Sequence, residues 1–258
     1  IACLDEKGQS YLYTVMYYDD HDRVIQRKSN NRLNGGVEKD YIAYNFIGQP
    51  TKHKHIHSAA GKATQSEVYS YSYDYADRLQ TTTHCLNNGP VMTLVNNEYD
   101  ELGRLKHNRR NGQSNLHTNY AYNLRSWTES ISSPLFCETL YYNDTRSNPT
   151  NTRYYNGNIS GMDWSVNGDK KRGYDFSYDN LSRLLYADYL ENNIRNHNFN
   201  TSYNYDKQGN IVSLMRSGNQ NTTYGIIDNL TLNYRGNQLI KVEDTASDSN
   251  LSVSSMDF

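Results

Sequence analysis

A chain of 258 residues is long enough to bury a sizeable core, and its formal net charge of −2 leaves no basic stripe with which to bind nucleic acid. Only 36% of the residues are hydrophobic, yet 25 are tyrosine and just 4 are proline, a balance that excludes both a large aliphatic core and a disordered polar chain. Tyrosine favours strands and carries an apolar face with a polar tip, so packed tyrosines are expected to replace the missing aliphatic residues.

In chain order, one pattern keeps returning. Tyr-Asp or Tyr-Asn is followed by two variable residues, a small or polar residue, then Arg, Asn or Gln, and an apolar residue. It runs Tyr18-Asp19 to Arg23-Val24, Tyr44-Asn45 to Gly48-Gln49-Pro50, Tyr73-Asp74 to Arg78-Leu79, and Tyr99-Asp100 to Gly103-Arg104-Leu105. It returns at Tyr178-Asp179 to Arg183-Leu184 and Tyr205-Asp206 to Gly209-Asn210-Ile211. Worn copies stand at Tyr122-Asn123, Tyr142-Asn143, Tyr155-Asn156 and Tyr234-Arg235-Gly236-Asn237. Steps of roughly 20–29 residues are those of a repeat array.

Each copy specifies a hairpin. The Asp or Asn bonds back to the turn backbone, and three residues later Gly48, Gly103 or Gly209 supplies the positive φ of a bulged turn. Asp22, Asp77 and Ser182 take that place elsewhere, where a looser turn is expected. The flanks alternate with period two, as in Tyr69-Ser70-Tyr71-Ser72-Tyr73. No window keeps a helical period with caps, so the chain reads as all-β, with antiparallel hairpins in tandem. Residues 1–243 read as a single repeat array, and 244–258 as a polar tail that starts a truncated next repeat.

The Tyr-Asp-x-x-Gly-Arg-Leu core, repeated from about Tyr11 to Val242, resembles the Rhs/YD-repeat family, whose members include bacterial Rhs polymorphic toxins, the toxin complex C component and the teneurins. The resemblance implies a long, curved strip of sheet that spirals into a hollow β-shell, of which this chain would be an open segment. It also implies a secreted or cell-surface bacterial protein whose shell encloses a C-terminal toxin effector. The Asp-Pro-x-Gly-like element that closes the shell is absent from the sequence, so the family's self-cleavage is carried over to no residue. The partner implied is the rest of the same polypeptide, with self-association through edge strands also expected. No membrane span is present.

Other candidates are weaker. His53, His55 and His57 share one strand face and could serve zinc, but no acidic or Cys partner is evident and Lys52 and Lys54 would repel a cation, so solvent-facing polar residues are expected. Asp19, Asp20 and Asp22 fail the spacing of a calcium loop and coincide with a turn. Asp163 beside Trp164 is compatible with a glycan platform, though ordinary packing of the Trp is the plainer reading. No nucleophile elbow, Walker A or dinucleotide fingerprint occurs. Cys3, Cys85 and Cys137 form no framework. The expected function is therefore structural, without catalysis, cofactor or metal; the alternative is an extracellular adhesion or carbohydrate-binding module.

Overall fold

A computed structural model describes residues 2–5, 8–146, 149–220 and 223–246; the expected polar tail lies outside them from residue 247 onward. The chain divides into two compact units, residues 1–119 and 120–258. The first holds β1 (Ala2–Asp5), β2 (Gly8–Tyr11), β3 (Thr14–Tyr18), β4 (Val24–Asn30), β5 (Val37–Tyr44), β6 (Pro50–Ser58), β7 (Gln65–Tyr73), β8 (Leu79–Leu86), β9 (Val91–Tyr99) and β10 (Leu105–Arg110). After a single 3-10 turn, Ser114–Leu116, β11 (His117–Tyr122) crosses into the second unit. There follow β12 (Thr128–Ser132), β13 (Phe136–Tyr141), β14 (Gly161–Val166), β15 (Arg172–Tyr178), β16 (Leu184–Glu191), β17 (Ile194–Arg195), β18 (Thr201–Tyr205), β19 (Ile211–Gln220), β20 (Thr223–Arg235) and β21 (Gln238–Asp244). The all-β, antiparallel expectation holds. β1 and β2 form a two-stranded sheet of their own; from β3 onward strands pair with their neighbours in sequence, and β16 pairs with both β17 and β18.

At each of the six well-formed copies the motif makes the same turn. In the fourth, the Asp100 amide donates to the Arg104 carbonyl at 2.9 Å and the Gly103 amide to the Asp100 carbonyl at 2.9 Å. That pair of bonds is a type I turn closed by a left-handed residue. Gly48, Gly103 and Gly209 sit at φ 89°, 83° and 93°, and Asp22, Asp77 and Ser182 at 58°, 63° and 62°. The non-glycine residues therefore take the left-handed place without opening the turn. At four of the other strand ends, Asn87-Asn88, Asn111-Gly112, Asn167-Gly168 and Asn192-Asn193 have positive φ at both residues. This is the tight hairpin turn that Asn and Gly favour.

Seven motif hairpins also carry a bulge beyond the turn. Tyr73 faces Leu79 while Ser72 faces Thr81, so Gln80 is the extra residue. The same slip recurs after Val24, Pro50, Leu105, Leu184, Ile211 and Leu239. A bulge increases local twist and bends its strand, so the bend is written into each copy.

The core is polar. Among the described residues the buried apolar ones are Tyr142, Ala187, Tyr189 and Leu190, whereas Asp40, Asn108, Arg146, Asn151, Ser160, Asp163, Asp175, Asn200 and Asp228 are buried polar groups. Single sheets of this composition are held by hydrogen-bonded side chains across strands more than by aliphatic burial.

Candidate functional site

The motif residues build a ladder. Asp100 Oδ1 accepts from the amides of Leu102 and Arg104, and its Oδ2 from Arg104 Nε at 2.7 Å. Asp19, Asp74 and Asp179 repeat this with Arg23, Arg78 and Arg183. In the other two copies the pair changes together: Asp206 accepts from Asn210, and Asn45 donates to Gln49. Hydrogen bonds from Arg78, and likewise from Arg183 and Asn210, hold the carboxyls of Asp74, Asp179 and Asp206 below the usual carboxylate range.

The motif tyrosine ties each copy to the one before. Tyr44, Tyr73, Tyr99, Tyr205 and Tyr234 donate their hydroxyls to the carbonyls of Val24, Pro50, Leu79, Leu184 and Ile211, at 2.7 to 2.9 Å. In each pair the acceptor is the apolar residue that ends the preceding motif. The guanidiniums of Arg23, Arg78 and Arg183 lie 5.0, 4.5 and 4.7 Å from the ring centroids of Tyr44, Tyr99 and Tyr205. Tyr178 reaches Ile159, and the worn copy at Tyr142 reaches Thr128. Tyr73, Tyr99, Tyr178 and Tyr205 are half-buried, where a mostly buried stack was expected, and Tyr18 is exposed. The hydroxyl-to-backbone bond explains the difference, because it keeps the ring at the strand end. The last copy departs further: Gly236, at φ 61°, sits in a two-residue turn between Arg235 and Gln238. Tyr155 is exposed and opens no hairpin.

Two charged clusters lie outside the ladder. In the first unit, Asp40 Oδ1 meets His53 Nε2 at 3.0 Å and His55 Nδ1 at 2.9 Å, while Arg27 Nε donates to its Oδ2. Glu38 Oε1 meets His57 Nδ1 at 2.6 Å. The three histidines are therefore not a bare solvent-facing set. Acidic partners stand on the neighbouring strand, invisible in sequence because register alone brings Glu38 opposite His57 and Asp40 opposite His55. Burial would raise the Asp40 carboxyl, but bonds from His55, His53 and Arg27 outweigh it and hold it low; Glu38 is held low in the same way by Asn31 and His57. Among the described residues no group of His, Cys, Asp and Glu has the geometry to hold a metal ion.

In the second unit, Arg146 is 3% exposed and donates to Asp163 through Nε and Nη2 and to Asp175 through Nη1. Lys171 Nζ lies 2.7 Å from Asp163 Oδ2, to which the Tyr141 hydroxyl also donates. Arg195 bonds Asp175 and faces Asp188. Burial would raise the Asp163 carboxyl, yet Arg146, Lys171 and Tyr141 together hold it low, while burial and Asp163 push Tyr141 up to about 12. The glycan reading of Asp163-Trp164 thus loses its carboxylate, which is committed inside the protein. Trp164 packs against Tyr174 at 5.7 Å between centroids. A cavity of about 240 Å³ beside the cluster is lined by Asp175, Asp188 and Arg195. Its two carboxylates are paired with cations, Asp175 with Arg146 and Arg195 and Asp188 with Arg195.

No helix among the described residues is long and apolar enough to cross a membrane. No family model matches the chain, and no curated protein matches it. Among solved structures the chain is similar to TcdB2-TccC3 without its hypervariable C-terminal region, with a TM-score of 0.50 and 10% identity. That likeness covers 95% of this chain and 16% of the other, and at such identity it shows the fold alone. A second crystal structure, TcdB2-TccC3-Cdc42, gives a TM-score of 0.31 at 10% identity over 90% of this chain and 15% of that one.

Proposed function

We propose that the chain is a wall segment of a YD-repeat shell of the Rhs and toxin-complex kind, a structural part that helps to enclose and deliver a C-terminal effector. The observation that carries this reading is the copy-to-copy bond. The hydroxyls of Tyr44, Tyr73, Tyr99, Tyr205 and Tyr234 reach the backbone of the preceding copy, and three motif Arg side chains cover the following tyrosine. Such coupling suits a strip that extends by adding copies, since each hairpin brings both halves of the next joint. The likeness of fold across 95% of the chain supports it. On this reading the segment is secreted or displayed at the cell surface, works with the rest of its own polypeptide, and carries no catalysis of its own, its buried carboxylates being ion-paired.

Limited proteolysis of the natural polypeptide tests the proposal. A downstream region held inside a shell should resist protease until the shell is unfolded, then be cut at once. Cleavage of that region at equal rates with the shell folded and unfolded would refute enclosure. A hydrolase panel run on the segment should show no turnover that a single carboxylate substitution abolishes.

A further inference from the structure

The second unit carries two hollows on one face of its sheet. The first, of about 240 Å³, is lined by Asp175, Ser177, Asp188 and Arg195, with Thr150 and Thr152 of the long connection. The second, of about 350 Å³, is lined by Asn200, Ser202, Met215, Ser217 and Ile226. Tyr186 belongs to both. Register sets them side by side: Asp175 faces Asp188, Ser177 faces Tyr186, Tyr186 faces Ser202, and Ser202 faces Met215. Residues opposite one another on paired strands, and those two apart on one strand, share a face of the sheet. The hollows are therefore two parts of one trough across β15, β16, β18 and β19, parted by the Tyr186 side chain.

The charges along the trough cancel. Asp175 is met by Arg146 and Arg195, and Asp188 by Arg195 at 3.3 Å, so no surplus charge is left to recruit an ion. Hydrogen-bonding capacity is left over. Arg195 spends Nε and Nη2 on Asp175 and the Thr150 carbonyl, and its Nη1 bonds no other described residue. The hydroxyls of Ser177, Ser202 and Ser217 on the strands, and of Thr150 and Thr152 in the connection, likewise bond no other described residue. None of the five is sealed from solvent, since the buried side-chain atoms without partners among the described residues are those of Glu38 and His84. A hydroxyl donates once and accepts twice, so this wall both gives and takes hydrogen bonds at short intervals. Tyr186, Met215 and Ile226 add apolar contact between the polar groups. An apolar ligand would strand the hydroxyls and the guanidinium without water, at a cost. A neutral ligand that alternates hydroxyls with C–H faces meets both kinds of group, and that alternation is the chemistry of a sugar ring.

We propose that this trough binds a neutral disaccharide unit, with one ring in each hollow and the link between them at Tyr186. Asp175 and Asp188, fixed by their arginines, accept from sugar hydroxyls, and Arg195 Nη1 donates to them. The serine and threonine hydroxyls complete the pattern, and the ring C–H faces lie on Tyr186 and Met215. The site is separate from Asp163 and Trp164, which are opposed in direction along β14 and line neither hollow. The proposal does not rest on the shell reading, because it concerns one face of the second unit.

The test is isothermal titration of the whole chain, in neutral buffer, with maltose, cellobiose, lactose and diacetylchitobiose, and separately with a short Gly-Ser repeat peptide. At least one disaccharide should saturate with a Kd of about 1 mM or tighter. Ser177→Leu fills the first hollow and Ser202→Leu the second; both replace half-buried hydroxyls on which no other described residue depends. Each should weaken that sugar by about tenfold or more, whereas Tyr75→Ser, at an exposed turn of the first unit, should leave its Kd unchanged. Should either Leu variant fail to fold, Thr152→Trp, at an exposed place in the connection, closes the first hollow instead and must give the same loss. Saturation by none of the four sugars overturns the proposal, as does a sugar bound equally well by wild type and by the trough variants. Binding of the peptide and of no sugar, lost in the same variants, overturns it in favour of an extended polypeptide segment.

Discussion

Asp206 shows how much one side chain settles. It accepts from the amides of Gln208 and Asn210 and from the Asn210 side chain, so the turn is held by bonds within the motif itself. Asp74 and Asp179 are held in the same way and stay ionised below the usual carboxylate range. A carboxyl held low contributes while ionised and loses that contribution as pH falls through its own value. The unfolding midpoint should therefore drop between about pH 4 and pH 2. A midpoint unchanged over that interval would count against the turns as the acid-sensitive element. The left-handed place can be tested at Gly209, where φ is 93° and an added Cβ would meet nothing closer than Arg183 Nη1 at 3.9 Å. Gly209→Val should cost about 1–2 kcal/mol through backbone strain alone. Gly209→Asp should cost clearly less, because Asp22 and Asp77 already occupy that place. Urea unfolding of the two variants decides it, and equal losses would mean that φ is not the constraint. Tyr205→Phe keeps the ring under Arg183 but removes the hydroxyl bond to Leu184, at an expected cost of about 1 kcal/mol.

At the scale of the hairpin, the turn was legible because its chemistry is local: Asp, a left-handed residue and Arg stand within five positions. The Asn-Gly and Asn-Asn turns at the opposite strand ends carried an equally local signal in the sequence. The bulged turn was legible, but the further slip one residue past each motif was not. The extra residue is Ile25, Thr51, Gln80, Lys106, Leu185, Val212 or Ile240, which share no chemistry, since the slip is imposed by pairing rather than by the residue that slips. The partners of Asp40 and Asp163 were hidden for a related reason, because they depend on register and on the long connection between β13 and β14. Arg146, within that connection, is held by two glycines that no pattern marked. A Cβ on Gly173 would lie 2.5 Å from Asp163 Oδ1 and 2.7 Å from the Met162 carbonyl, and one on Gly161 would lie 3.3 Å from Arg146 Nη2. Gly173→Ala should destabilise the second unit by about 1–3 kcal/mol through overpacking against backbone. Arg146→Met should cost more, about 3–5 kcal/mol, because it leaves Asp163 and Asp175 buried without their shared cation. Chemical denaturation ranks the two, and a milder loss in Arg146→Met than in Gly173→Ala would show that the cation is dispensable.

For the molecule as a whole, the repeat spacing in the sequence carried the architecture, while its stabilising contacts came from geometry. Joints run between adjacent copies: strand to next strand, Tyr hydroxyl to the preceding motif, Arg over the following ring. A repeat array of this kind behaves as a row of coupled elements in which damage fades with distance along the row. Arg146→Met provides the test within the second unit. Its guanidinium contacts β14 and β15, and β16 is the next strand over. The strands β19 and β20 share no bond with it and pair with each other from Ser213 through Gln220. Amide hydrogen exchange on the variant should lose protection first in β14 to β16, while β19 and β20 keep theirs until the whole unit opens. A uniform loss across the unit, from β13 to β21 at one rate, would mean that the hairpins fold as a single block, and the picture of a wall built by adding copies would have to be given up.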